Sequence, residues 1–215
     1  MPYCKGYAPP DAMIAGFILS ARLALLGGDR DRWLRMLAEL EEIGRGIQLP
    51  RAICSAWLER VRVATIEGRL DAADQALRSA ELHADWAASD SYGHANDIDF
   101  PDSIRWRLAI AHGEHEQTAS ELADAIAVAT QRQRHWRALK LRLLLAMALD
   151  GAGKQSEAFE QLTEALRLAS HEGLARTFLD EGDRLADLLR RWADAREAEC
   201  VRAGIELQFV RTVLA

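Results

Sequence analysis

A chain of 215 residues with 49% hydrophobic, 7% aromatic and 28% charged side chains and a net charge of −6 has room for one or two ordinary domains or one array of repeats. The acidic balance argues against direct nucleic-acid binding over the whole surface, although it leaves a local basic patch open. Cys4, Cys54 and Cys200 stand far apart with no C-x-x-C pair, which speaks against a disulfide framework or zinc knuckle and fits a reducing cytoplasm.

The opening "MPYCKGYAPPD" has no basic-then-apolar leader pattern, and residues 1–10 are expected to form a tail. No apolar run reaches the roughly 18 residues that a membrane-spanning helix needs, so no membrane contact is expected. From residue 11 one pattern recurs: an apolar-periodic run, a short turn with glycine, then a second apolar-periodic run. The turns are "LLGGDRDRW", "TIEGRLDAA", "AHGEHEQTA" and "GAGKQSEAF", with Gly28, Gly68, Gly113 and Gly153 spaced 40, 45 and 40 residues apart. Four positions before each glycine stand Ala24, Ala64, Ala109 and Leu149; seven before stand Ala21, Val61, Trp106 and Ala146. Nine after stand Leu37, Leu77, Leu122 and Leu162; twelve after stand Leu40, Ala80, Ala125 and Ala165. Steps of three and four put these on one helical face. Small residues before the turn let paired helices approach, and the leucine after it fills the groove between them.

Four antiparallel helix pairs over residues 11–172 follow. One pair cannot bury its apolar face alone, so the pairs stack. The stretch 87–102, "AASDSYGHANDIDFPD", lacks a helical period and reads as a loop insertion, which accounts for the longer spacing. Residues 173–215 change pattern and are expected to cap the array: a short irregular piece, a helix with Leu185, Leu188, Leu189 and Trp192 on one face, and two further helical runs around 193–203 and 205–214 separated by Gly204. The expected fold class is therefore all-α, an α-solenoid of antiparallel helix pairs with a C-terminal helical cap.

Gly151-Ala152-Gly153-Lys154 invites comparison with a phosphate-binding loop. The Walker spacing would put a glycine at Ala148 and a hydroxyl at Gln155, so Lys154 reads as a solvated turn residue. His112, Glu114 and His115 lie across the Gly113 turn, which breaks the helical turn that an H-E-x-x-H metal site needs. No catalytic residue, metal site or cofactor is expected. Cys54 reads as a small core residue and Cys200 as a partly exposed residue of the terminal helix. "RQRHWRALKLR" (132–142) reads as an amphipathic helix with a solvated basic face.

The spacing around each glycine resembles tetratricopeptide (TPR)-like helical hairpins with a long period. The tail is more specific. "LTEALRLASHEGLARTFLDEGDRLADLLRR" (162–191), with Glu172, Gly173, Arg176 and Phe178 to Gly182, resembles the end of the sensor region of MalT-like, ATP-dependent LuxR-family transcriptional regulators. Residues 49–77, 82–88 and 200–215 resemble other parts of that region. The resemblance implies a non-catalytic signal-sensing module that receives a small-molecule inducer or a protein partner and acts on the regulator's ATPase and DNA-binding domains. Neither a Walker motif nor a helix-turn-helix lies within these 215 residues, which leaves both an excised module and a stand-alone adaptor gripping a peptide or partner helix open.

In such arrays the first helix of each pair lines the concave side. Six residues before the four glycines stand Arg22, Arg62, Arg107 and Met147, and eight before stand Ser20, Arg60, Arg105 and Leu145. Arginines in register could hold an anionic or hydroxyl-rich ligand through their forked donors; equally they could be solvated and paired with nearby carboxylates. Trp106 and Trp86 flank the irregular stretch and are the aromatic candidates for the groove.

Overall fold

The computed structural model describes residues 9–84, 99–196, 198, 200 and 202–214. Among the described residues there are eleven helices and no strand. In chain order they are α1 (Pro10–Leu26), α2 (Arg30–Gly46), α3 (Pro50–Ile66), α4 (Leu70–Glu81), α5 (Pro101–His112), α6 (His115–Gln131), α7 (His135–Gly151), α8 (Gln155–Ser170), α9 (Ala175–Leu179), α10 (Asp183–Arg196) and α11 (Leu207–Leu214). The fold is all-α and TPR-like. It divides into two compact units, Met1–Leu108 and Ala109–Ala215.

The four glycine turns share one closure. Gly28, Gly68, Gly113 and Gly153 have φ of +76°, +70°, +91° and +76°, a left-handed conformation that costs a residue without Cβ least. The amide of the next residue then bonds back to the carbonyl four before the glycine: Asp29 to Ala24, Arg69 to Ala64, Glu114 to Ala109 and Lys154 to Leu149, each at 2.9 Å. This is the Schellman closure of a helix C-terminus. Lys154 thus contributes its backbone to a turn, and its side chain is exposed.

A second set of turns, from each second helix into the next pair, had no glycine signal in two cases. Gln48 and Gln133 take φ of +54° and +56°, and Gly173 takes +66°. All three stand twenty residues after a turn glycine. The same closure follows, with Leu49 bonding to Gly44, Arg134 to Ala129 and Leu174 to Ala169.

In the first unit α1 packs on α2, α2 on α3 and α3 on α4. One core joins Phe17, Ile18, Leu37 and Leu40 to Ala52, Ala56 and Val63 of α3. A second joins Leu58, Val61, Ala73 and Ala76 to Ile104 and Leu108 of α5. Gly44 of α2 lies so close to α3 that a Cβ there would come within 2.9 Å of Ile53 Cγ1.

In the second unit α7 packs between α6 and α8. Its residues Leu143 to Leu149 are buried on every side, as expected of a helix that is apolar all round. Within 132–142 the helix is amphipathic, with Ala138, Leu139 and Leu141 buried, Arg137, Lys140 and Arg142 half-buried and His135 and Trp136 exposed; beyond Arg142 the uninterrupted leucines and alanines draw it into the core. The last helices, α9, α10 and α11, pack on one another, and α10 and α11 pack on α8. Trp192 of α10 donates from Nε1 to Thr163 Oγ1 of α8 at 2.9 Å, and Phe178 of α9 meets Phe209 of α11 edge to face at 5.8 Å.

Two expectations for the tail are corrected. Among the described residues the run placed at 193–203 is not a separate α-helix: its start belongs to α10, which continues through Arg196, and residues 202–204 form a turn. Cys200 is buried and lies in that turn. Gly204, left-handed at φ +70°, lets the Ile205 amide close onto the Cys200 carbonyl at 2.9 Å, and both side chains end up inside.

Candidate functional site

The register that aligns Arg22, Arg62 and Arg107 carries into space. The three residues sit on α1, α3 and α5 and are all buried, at 5%, 6% and 6% exposure. Two carboxylates meet them. Arg22 donates from Nε and Nη2 to Glu59 Oε2 at 3.0 and 2.8 Å, and from Nη2 to Asp99 Oδ2 at 3.0 Å. Arg62 grips the same glutamate from Nε and Nη2 at 3.0 and 2.6 Å. Arg107 Nη2 lies 3.8 Å from Asp99 Oδ1, and Ser103 Oγ lies 3.5 Å from that oxygen.

Burial would push the Glu59 carboxyl up, but the charges and hydrogen bonds of Arg22 and Arg62 outweigh it and hold the group below the usual carboxylate range. Glu59 is thus ionised when folded. The cluster ties α1, α3 and the start of α5 together in a low-dielectric setting, where charge-assisted hydrogen bonds are strong.

The three arginines meet carboxylates of the chain itself, Glu59 and Asp99, which is the pairing alternative that their row also allowed. Their internal carboxylates did not come out of the spacing. Glu59 stands nine residues before Gly68, where the corresponding helices carry Ile104 and Leu144; a charged residue at a position otherwise apolar was the available signal. Asp99 fell inside the stretch assigned to the loop insertion.

The neighbouring row also pairs internally. Arg60 bonds to Glu41 of α2 and stacks over the Trp57 ring at 4.4 Å. Arg105 bonds to Glu81 of α4 at 3.0 Å and to Asp102 at 2.8 Å. Glu41 and Glu81 each stand thirteen residues after a turn glycine, so the pairing repeats with the fold. Trp106 is half-buried and meets Phe100 edge to face at 6.3 Å. Trp86 lies outside the described residues.

A further cluster lies in the second unit, where Gly151 ends α7. His115 and Arg184 crowd onto it: a Cβ at 151 would stand 2.5 Å from His115 Cε1 and 2.7 Å from Arg184 Nη2. Arg184 donates to the Ile110 carbonyl at 3.2 Å, and Arg191 grips Asp150 with two bonds of 2.9 and 2.7 Å. Burial, then the Arg184 charge, push the His115 imidazole below its usual range, against the opposing pull of Asp150. No group of His, Cys, Asp and Glu among the described residues is arranged to hold a metal ion, and no described helix is long and apolar enough to cross a membrane.

Helical hairpins closed by left-handed glycines, with interlocking ion pairs between successive pairs, define a TPR-like helical-repeat protein of the kind that serves as an interaction and sensing module. The chain belongs to the family of the MalT-like TPR region, whose model matches residues 1–195. The terminal stretch 200–215 lies outside that match. No curated protein and no solved structure matches the chain.

Proposed function

We propose that the chain is the non-catalytic signal-sensing module of a MalT-like, LuxR-family transcriptional regulator, working in the cytoplasm, and that an inducer or partner engages Trp86 and the face of the first helices carrying Arg22, Arg62, Arg107 and Trp106. The observation that carries this reading is the family match over residues 1–195. The buried ion cluster gives it a mechanism. An anionic group entering beside Arg22 and Arg107 competes with Asp99 for the same donors. A ligand that takes Asp99's place favours one packing of α1, α3 and α5 over another, and only such differential binding can pass a signal onward.

The test is calorimetry of the chain against phosphorylated and carboxylated metabolites, with neutral sugars as controls, using the native chain and Asp99→Asn. Removal of the competing charge should tighten binding of an anionic inducer about tenfold or more while lowering the stability of the free protein. An inducer whose affinity ignores Asp99→Asn would show that the cluster is not its site. The regulator assignment is tested separately by the coding sequence on either side: a P-loop ATPase upstream and a helix-turn-helix downstream are expected.

A further inference from the structure

The end of α7 brings together two nitrogen-bearing side chains from different helices. His115 opens α6, and Arg184 lies in the first turn of α10. Gly151, the last residue of α7, has no side chain to hold them apart. A Cβ at 151 would stand 2.6 Å from His115 Nε2 and 2.7 Å from Arg184 Nη2. The two nitrogens therefore flank one point, and a single oxygen beside it reaches both at ordinary hydrogen-bond lengths.

The bonding around them leaves this edge open. Arg184 Nη1 donates to the Ile110 carbonyl at 3.2 Å, and among the described residues Arg184 forms no ion pair. Asp150, the carboxylate whose charge acts on it, has both oxygens gripped by Arg191 at 2.9 and 2.7 Å. His115 makes no side-chain hydrogen bond among the described residues, and its Nδ1 is buried. A neutral imidazole carries one N–H and one lone pair. With the proton on Nδ1, a donor is buried without an acceptor, which is costly. With the proton on Nε2, that N–H faces the same space as Arg184 Nη2, itself a donor. The described residues supply an acceptor to neither arrangement.

We propose that the space beside Gly151 binds a small oxyanion, a carboxylate or phosphate, whose oxygen accepts from His115 Nε2 and Arg184 Nη2 together. An acceptor there fixes the proton on Nε2 and leaves Nδ1 as a bare lone pair in place of an unpaired N–H. The charge balance suits it. Two guanidinium groups, Arg184 and Arg191, surround one carboxylate, Asp150, which leaves an excess of positive charge beside a half-buried ring. The start of α6 adds the positive end of a 17-residue helix. Arginine is suited to either anion through its forked donors. The site shares no residue with the arginines of the first helices and stands independently of any ligand they hold.

The experiment follows the imidazole protons of His115 by NMR, assigned with His115→Gln, as inorganic phosphate or acetate is added at constant ionic strength with chloride making up the balance. A saturable shift is expected, together with a rise in the pH at which the ring titrates, since a bound anion favours the charged form; chloride alone should produce neither. Arg184→Gln keeps a polar group but removes the charge, and should weaken saturation about tenfold or more. Gly151→Ala keeps both charges and fills the space between them. It should abolish saturation, an effect that a merely structural Arg184 would not show. Saturation by phosphate alone assigns the site to phosphoryl ligands, and saturation by acetate as well extends it to carboxylates. A shift that grows linearly and equally with every anion, chloride included, reports screening only and overturns the proposal. So does the absence of any shift, or equal saturation in Arg184→Gln. Circular dichroism verifies the fold of the variants, and the comparison of phosphate and acetate with chloride in the native chain decides without them.

Discussion

Arg22 of α1 and Glu59 of α3, 37 residues apart in sequence, meet through two hydrogen bonds to one carboxylate oxygen at 3.0 and 2.8 Å, with both side chains almost wholly out of water. Glu59 also holds Arg62 on its own helix. One carboxylate thereby neutralises charge on two successive first helices, and the packing of these helices depends on its ionisation.

Glu59→Gln should accordingly destabilise the first unit by about 3–5 kcal/mol, the range for leaving buried charge without its partner. Urea unfolding of native chain and variant measures it. The pH dependence has a definite sign. The folded carboxyl lies below its unfolded value of about 4.3, so its contribution is complete above that value and is lost as the pH falls through the folded one. In the glutamine variant that part of the acid slope should vanish; an unchanged slope would mean that Glu59 does not govern acid stability.

Gln48 and Gln133 hold left-handed backbone where the corresponding position of a later turn has Gly173. An L residue in that conformation costs roughly 1–2 kcal/mol, while glycine gives back roughly 0.4–1 kcal/mol through a more disordered unfolded chain. Gln48→Gly and Gln133→Gly should each raise stability by up to about 1 kcal/mol, readable as a higher urea midpoint. A loss in either variant would show that the glutamine side chain holds its turn.

These two turns also mark the limit of what the sequence discloses. The four hairpin turns were legible because glycine stands at each, with alanine, leucine and valine at fixed offsets before and after. The turns between pairs share the same backbone closure but not the same residue, so nothing at Gln48 announces them. The arginine row was legible for the same reason as the hairpins, a repeated offset. Glu59 and Asp99 come from unrelated offsets, and only folding brings them beside Arg22. At the C-terminus, the apolar face of α10 was legible from Leu185, Leu188, Leu189 and Trp192. The turn that buries Cys200 was not, because the residues around it carry a helical composition and the decisive left-handed residue, Gly204, reads equally well as a simple separator.

Gly44→Ala should separate the two core-forming helices α2 and α3. The new Cβ would lie 2.9 Å from Ile53 Cγ1, 3.1 Å from Ala52 Cβ and 3.2 Å from the Ile53 amide nitrogen. The backbone atom cannot swing away as a side chain can. Overpacking of this kind costs about 1–3 kcal/mol, against a gain of up to about 1 kcal/mol in helix propensity. A net loss is expected in thermal or urea unfolding; a net gain would show that α2 and α3 shift apart without cost.

His115 provides a test in the second unit at a different pH. Its folded imidazole titrates below the usual value of about 6.5, through burial first and the Arg184 charge second, with Asp150 opposing. The unfolded chain therefore binds a proton at His115 before the folded chain does. Its contribution to stability is complete above about pH 6.5 and is lost as the pH falls from there through the folded value. Gly151→Ala bears on the same site, because the new Cβ would stand 2.5 and 2.6 Å from His115 Cε1 and Nε2 and the ring must move aside toward water. Its titration, followed by NMR of the imidazole protons, should then shift upward, and the loss of stability near pH 6 should shrink. An unshifted imidazole in the alanine variant would show that Gly151 does not set the position of His115.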